Sequence, residues 1–215
     1  MSAGRQSITS NKDWCTPCKY VDAIKLMWGG KIDLDPCSSK HSIVDAVTEF
    51  LLPEQNGLQE EWNYPTIYVN PPYGNDKERG TTIRDWFKKI AITYQKYNNE
   101  IIALVPVATN TSHWKKYVFP VADSICFLYD TRLKFIIDGT NDNKGAPMSC
   151  CVIYYGKDCH SFMEIFSSFG ATIPLNEAKL PKPITLHEPI PLDFTSNRTE
   201  LAKEMLPTAD GLALR

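Results

Sequence analysis

Residues 67–74 read IYVNPPYG. Ile67, Tyr68 and Val69 suit a buried strand, because β-branched and aromatic side chains pack well on a pleated surface. Pro71 and Pro72 cannot donate to a ladder, so the strand must end at Asn70. The segments around it predict alternating strands and helices. KIDLDPCSS before it reads as a short strand ending at Asp35-Pro36. Trp86, Phe87, Ile90, Ala91 and Tyr94 after it mark an amphipathic helix, and the apolar strand Ile101 to Val105 follows.

Further out, Thr16-Pro17 has the form of a helix N-cap followed by proline at the first helical position. The helix should span 17–28, with Gly29-Gly30 as its stop. Residues 41–53 fit neither template, and GNDKERGTT (74–82) reads as a mobile surface loop. A short helix near 112–119 and a strand at 124–129 come next. RLKFII and SCCVIYYG, bracketing the turn-rich DGTNDNKGAP, read as a hairpin. The expected fold is therefore α/β, with a mostly parallel sheet, an antiparallel terminal hairpin and helices on both faces. One domain over 1–170 is expected, with a polar arm at 1–12. Proline-punctuated segments and a short helix in NRTELAKEML form a C-terminal extension, 171–215, packing on the same domain.

The chain of 215 residues, 43% hydrophobic and 22% charged, is of ordinary globular composition. No run of apolar residues reaches membrane-spanning length and no signal peptide is visible, so a cytoplasmic protein is expected. The seven cysteines are odd in number and are expected to be thiols. A net charge of −2 argues against an unselective nucleic-acid coat, but leaves room for a local basic patch.

In an open α/β sheet, ligands sit at the carboxyl ends of the strands, where NPPY lies. Two prolines stiffen that loop and present an amide, a bare backbone carbonyl and an aromatic face together. These fit a planar ring bearing an exocyclic amine, such as adenine. The N6 lone pair of adenine is delocalised and a poor nucleophile. If the Asn70 oxygen and the Pro71 carbonyl each accept an N6 hydrogen, the nitrogen becomes more tetrahedral, and Tyr73 can stack on the ring.

Asn-Pro-Pro-Tyr after an apolar strand resembles the signature of amino-group methyltransferases that use S-adenosylmethionine. The series WCTP, DLDP, NGLQEEW, VNPPYG, LVPVAT, RLKF and GAPMSCCVIYYG, over roughly residues 13–156, resembles the small phage-type, Dam-like DNA N6-adenine methyltransferases. The resemblance implies a Rossmann-like methyltransferase fold and direct methyl transfer to adenine N6, with the base flipped out of double-stranded DNA. It implies Asn70, Pro71, Pro72 and Tyr73 as the catalytic tetrapeptide. Trp14, Thr16, Pro17, Asp33, Asp35, Pro36 and Asn70 are the implied cofactor contacts. An acid for the ribose hydroxyls is not evident, with Asp45 and Glu49 as candidates. Where relatives follow DP with glycines, this chain has Cys37-Ser38-Ser39, and Asn56 stands in NGL where they often have Asp.

Lys77, Arg79, Arg84, Lys88, Lys89 and Arg132 are candidates for contacts to DNA phosphates, against a plain solvated face. His113 and Trp114 fit either DNA binding or a helix start that buries its tryptophan. Cys15-x-x-Cys18 has zinc-like spacing but no second pair, so no metal is expected. Three other acceptors remain open: cytosine N4, an RNA adenine and a glutamine amide. So does a catalytically silent nucleic-acid-binding relative. A monomer acting in the cytoplasm of a bacterial host, encoded by a phage or mobile element, is the expectation.

Overall fold

The first helix starts one residue later than its sequence suggests, and this matters for the site. In the computed structural model, which describes residues 15–52, 54–130, 133–137, 140–141 and 148–175, α1 is Cys18–Met27 with Pro17 as its N-cap residue. The Pro17 carbonyl accepts from the Tyr20 and Val21 amides at 3.0 and 3.4 Å. Thr16 therefore lies outside the helix, and its hydroxyl is not spent on a cap. Gly29 and Gly30, at φ 67° and 100°, end the helix where expected.

The strands follow as β1 (Leu34–Ser38), β2 (Thr48–Leu51) and β3 (Thr66–Val69). A small hairpin, β4 (Asn75–Asp76) with β5 (Thr81–Thr82), leads into α2 (Ile83–Tyr97). Then come β6 (Glu100–Pro106), a π-helical turn at Trp114–Val118, β7 (Ser124–Leu128), β8 (Ile136–Ile137) and β9 (Thr140–Asn141). The order closes with β10 (Cys150–Tyr155), α3 (Cys159–Phe166) and β11 (Gly170–Pro174). All described residues belong to one compact unit.

Seven strands form the central sheet in the order β11-β7-β10-β6-β3-β1-β2. The pairs β2/β1, β1/β3 and β3/β6 are parallel, whereas β10 is antiparallel to both β6 and β7, and β11 is antiparallel to β7. The mostly parallel sheet is as expected, but the terminal hairpin is not. β8 pairs with β9, and β10 inserts between β6 and β7. The reason lies in CCVIYY itself, since all six residues are buried and such a strand belongs in the middle of a sheet rather than at its edge. The edge is β11, so the segment expected to be an extension from 171 onward begins as a strand of this sheet; residues 176–215 lie outside the described ones.

Strand alternation sends neighbouring side chains into two cores. Tyr68, Ile102, Leu104, Val152 and Tyr154 pack with α1 and α3 on one face. Ile67, Val69, Ala103, Val105, Cys151 and Ile153 pack with α2 and the π turn on the other. Helices thus cover both faces.

Two local readings are corrected. The ambiguous 41–53 stretch contains β2, whose Glu49 stands beside Asp35 in register. The 74–82 loop contains a small hairpin: Asp76 Oδ1 accepts from the Glu78 and Arg79 amides at 3.1 and 3.2 Å, and Gly80 supplies φ 64°.

Candidate functional site

From β1 the chain moves to β2 on one side and then returns to β3 on the other. The carboxyl ends of β1 and β3 therefore flank the point where strand order reverses, the place where open α/β sheets open a crevice. Asn70 and its prolines leave β3 there. Pro71 is buried, Pro72 exposed, and Asn70 and Tyr73 lie between these limits.

Asn70 is bound to the amino-terminal segment through its side chain. Its Nδ2 donates to Thr16 Oγ1 at 3.2 Å, and Thr16 Oγ1 lies 2.6 Å from the Tyr68 hydroxyl. Thr16 is 2% exposed and Tyr68 is 0% exposed. Thr16 is held there by its neighbour, since Cys15 exchanges two backbone hydrogen bonds of 2.9 Å with Ile136. The Phe135–Ile136 stretch thus pins Cys15 and Thr16 against the end of β3, a long-range bridge that no sequence spacing announces.

The same segment supports Tyr73. The ring of Phe135 meets that of Tyr73 edge-on, at 6.0 Å between centroids and 72°, and the Tyr73 hydroxyl donates to the Leu104 carbonyl at 3.2 Å. Burial pushes the Tyr73 phenol well above its ordinary value, so it remains a donor. Tyr73 is a tethered ring, not a loose one.

β1 does not end at Asp35-Pro36 but continues to Ser38 through a register irregularity, in which Asp35 faces Glu49 and Ser38 faces Leu51. Pro36 has no amide hydrogen to give, and a bulge is how a ladder accommodates such a residue. Above the bulge sits the NGL turn. A Cβ on Gly57 would fall 1.8 Å from the Pro36 carbonyl oxygen, so only glycine allows this approach. Asn56 Oδ1 accepts from the Leu58 amide at 3.1 Å, and the Gly57 carbonyl accepts from Trp62 Nε1 at 2.7 Å.

Asp35 is 4% exposed. Burial raises its pKa to about 7; the Cys37 amide, donating to Oδ1 at 3.1 Å, opposes that rise, and the charge of Glu49 adds to it. The Cys37 thiol is pushed far up by burial and by Asp35, and a hydrogen bond from the Asn70 backbone acts in the other direction. Cys37 is therefore a protonated thiol near the end of β1.

Of the two candidate acids, Asp45 sits at φ 51° with its side chain 93% exposed and 3.8 Å from Lys25 Nζ. Glu49 Oε1 is buried and has no hydrogen-bond partner among the described residues. Glu49 lies in β2 beside Asp35.

Asp33 is removed from the site. Its Oδ2 accepts from the Thr66 amide at 3.2 Å and from Thr66 Oγ1 at 2.8 Å, and its Oδ1 meets Lys31 Nζ at 2.8 Å. Thr66 begins β3, so Asp33 ties the amino ends of β1 and β3, opposite to Asn70. Burial would raise its carboxyl, but the Lys31 and Thr66 bonds hold it below the ordinary value. Pro17 stands beside Thr16 as the cap of α1. Trp14 and Arg132 lie outside the described residues.

Lys77 and Arg84 are exposed and, among the described residues, make no ion pair. Arg79 is committed to Asp76 at 2.6 Å. Lys89 donates to the Glu60 carbonyl at 2.5 Å and lies 5.6 Å over the Trp62 ring, so it serves the fold. Trp114 is fully buried, and His113 packs 5.0 Å from Phe87 with Nε2 at 3.1 Å from Thr111 Oγ1. Both follow the packing reading. No group of three metal-ligating side chains occurs among the described residues.

Comparison with known proteins gives a consistent result. The family model described as DNA N-6-adenine-methyltransferase (Dam) matches residues 5–176. A DNA N-6-adenine-methyltransferase of Haemophilus phage HP1 (strain HP1c1) is 27% identical over 134 residues, covering 62% of this chain and 72% of the relative. A DNA N-6-adenine-methyltransferase of Escherichia phage T1 is 31% identical over 102 residues, covering 47% of this chain and 38% of that protein.

Proposed function

Because the chain belongs to the DNA N-6-adenine-methyltransferase (Dam) family, we propose that it methylates adenine N6 in double-stranded DNA using S-adenosylmethionine. The observation that carries the residue assignment is Asn70, held by Thr16 at the carboxyl end of β3 where the strand order reverses. The sheet then reads as a Rossmann-like methyltransferase fold. Action in the cytoplasm of a bacterial host fits the phage origin of the two relatives.

The residues present suit the cofactor. Glu49 brings a buried carboxylate oxygen without a partner among the described residues, of the kind that accepts from the two hydroxyls of a ribose. Thr16, Pro17, Asp35 and Pro36 line the neighbouring strand ends and would hold the rest. When bound, S-adenosylmethionine supplies an electrophilic methyl on a positively charged sulfur.

The chain's own groups act on the base. N6 is engaged in pairing inside a duplex, so the adenine is flipped out before it reacts. Stacking on the tethered Tyr73 ring offsets part of that cost, on the order of 1–3 kcal/mol. Asn70 Oδ1 and the Pro71 carbonyl accept the two N6 hydrogens and localise the nitrogen lone pair toward the electrophile; once N6 carries the methyl, one of those hydrogens leaves as a proton to solvent, since neither neutral amide oxygen is basic enough to keep it. Oriented dipoles and positioning supply the rate, and no covalent enzyme intermediate is required.

The test is direct. Purified protein is incubated with S-adenosylmethionine and unmethylated duplex DNA, the DNA is digested to nucleosides, and N6-methyladenine is quantified beside Asn70→Ala. Product from the wild type and almost none from the variant supports the reading. Methylation of cytosine, RNA or protein instead of DNA adenine would overturn it.

A further inference from the structure

Tyr68 occupies a position that an apolar ring would fill equally well. It is 0% exposed, between Ile67 and Val69 in the middle of the sheet. A hydroxyl in such a place costs stability unless it is hydrogen-bonded, and its partner is Thr16 Oγ1 at 2.6 Å. Strand alternation puts Tyr68 and Asn70 on the same side of β3, so both reach the same threonine. Thr16 is thereby clamped between a core phenol and the amide of the tetrapeptide.

We propose that Tyr68 and Thr16 are positioning residues for Asn70, forming a buried relay that fixes which way its amide faces and strengthens its oxygen as an acceptor. The inference rests on the reading of Asn70 as the group that binds adenine N6.

The physical basis is the direction of one hydrogen bond. Asn70 Nδ2 donates to Thr16, so its Oδ1 is turned to the opposite side of the amide plane. Donation from the amide nitrogen increases the dipolar resonance form and places more negative charge on Oδ1, and a chain of such bonds strengthens each member. An asparagine held this way gains part of the acceptor strength of a carboxylate while staying neutral. Thr16 can hold the amide only if it is itself held, which the Tyr68 hydroxyl does from within the core. Either hydroxyl can be the donor of that bond; when Thr16 donates to the Tyr68 oxygen, its own oxygen accepts from Asn70 in a head-to-tail chain, and burial keeps the phenol neutral.

The experiment uses the full-length protein and compares Tyr68→Phe in two backgrounds, wild type and Thr16→Val. In the wild-type background the relay predicts a fall in kcat of about tenfold, with KM for duplex DNA and Kd for S-adenosylmethionine changed less than about twofold. Valine has no hydroxyl to pass the effect on, so in that background Tyr68→Phe should change kcat less than about twofold. Thr16→Val alone should lower kcat as Tyr68→Phe does, with a rise in Kd for S-adenosylmethionine because Thr16 also stands among the cofactor residues, and Thr16→Ser should restore both. A second readout needs no turnover: the side-chain amide resonances of Asn70 in nitrogen-15-labelled protein, identified by their loss in Asn70→Ala, should shift in Tyr68→Phe. Equal loss of kcat in both backgrounds, or unshifted resonances, overturns the relay. Shifted resonances in a protein whose wild type makes no N6-methyladenine uphold the coupling and overturn the methylation reading instead.

Discussion

Asn70 Nδ2 and Thr16 Oγ1 lie 3.2 Å apart, although 54 residues separate them in the chain. The bond joins the segment before α1 to the end of β3, so Thr16 and the tetrapeptide are set against each other. Removing the amide should therefore affect chemistry far more than folding. Asn70→Ala is expected to lower kcat by about 10²–10³, the range for losing one preorganised hydrogen-bonding group. Nucleoside analysis after timed incubation measures it, and a thermal melt close to wild type shows that the fold survives.

Glu49 offers a different test, because its buried Oε1 lacks a partner among the described residues. Glu49→Gln keeps the shape and removes the charge. Losing a hydrogen bond to a charged group costs about 1.5–3 kcal/mol, so Kd for S-adenosylmethionine should rise by about 10- to 100-fold. The exposed Asp45 should tolerate Asp45→Asn without change. Titration calorimetry reads both, and the reverse pattern would move the assignment to Asp45.

Asp35 should make both stability and ligand binding depend on pH. Burial first, with Glu49's charge adding, raises its carboxyl from 3.8 to about 7 in the folded protein. The folded state then binds more protons than the unfolded state between those values, so stability falls as pH rises from about 4 to about 7 and is level above. The cost is at most on the order of 4 kcal/mol, and Asp35→Asn should remove most of it in urea titrations across that range. A cationic ligand beside Asp35 favours the carboxylate. S-adenosylmethionine should therefore bind more tightly above pH 7 and release a proton below it, seen as buffer-dependent heat.

The exposed cations divide by their partners. Lys77 and Arg84 make no ion pair among the described residues, whereas Arg79 already holds Asp76. Removing one cation that neutralises a DNA phosphate should lower the slope of log K against log salt by about 0.9. Lys77→Gln and Arg84→Gln should each do so in DNA-binding titrations, and Arg79→Gln should do so less.

Much of this was legible in the sequence because local chemistry carried it. Val69 followed by Asn70-Pro71-Pro72 marks a strand end, and Gly29-Gly30 marks a helix end, each through a restriction on one residue. What was not legible depended on distant neighbours. The run CCVIYY shows that a strand is buried but not between which partners, and it lies between β6 and β7 rather than in a hairpin. Thr16 reads as a cap by pattern, yet Tyr68 and Asn70 claim its hydroxyl. Asp33 and Asp35 look alike in KIDLDP and, two residues apart, share a face, but Asp33 is bound to Thr66 at the start of β3 while Asp35 lies one step further along, beside Glu49. The signal for Tyr68 was present in IYVN, as a polar atom in a core position two residues before Asn70.

Gly57 is the last test, because it couples the NGL turn to the bulge of β1. An added Cβ would meet the Pro36 carbonyl oxygen at 1.8 Å and its carbonyl carbon at 2.8 Å, both backbone atoms that cannot swing aside. Either the turn lifts or the bulge flattens, and Asp35 and Cys37 sit on either side of Pro36. Gly57→Ala should cost about 1–3 kcal/mol or more in urea unfolding. It should also weaken S-adenosylmethionine binding, because the strand end that would hold the cofactor moves with Pro36. Gly74, where an added Cβ meets nothing within 4 Å, gives the contrast: Gly74→Ala should leave the unfolding midpoint unchanged. Equal stability of the two variants would show that the turn and the bulge do not touch in solution.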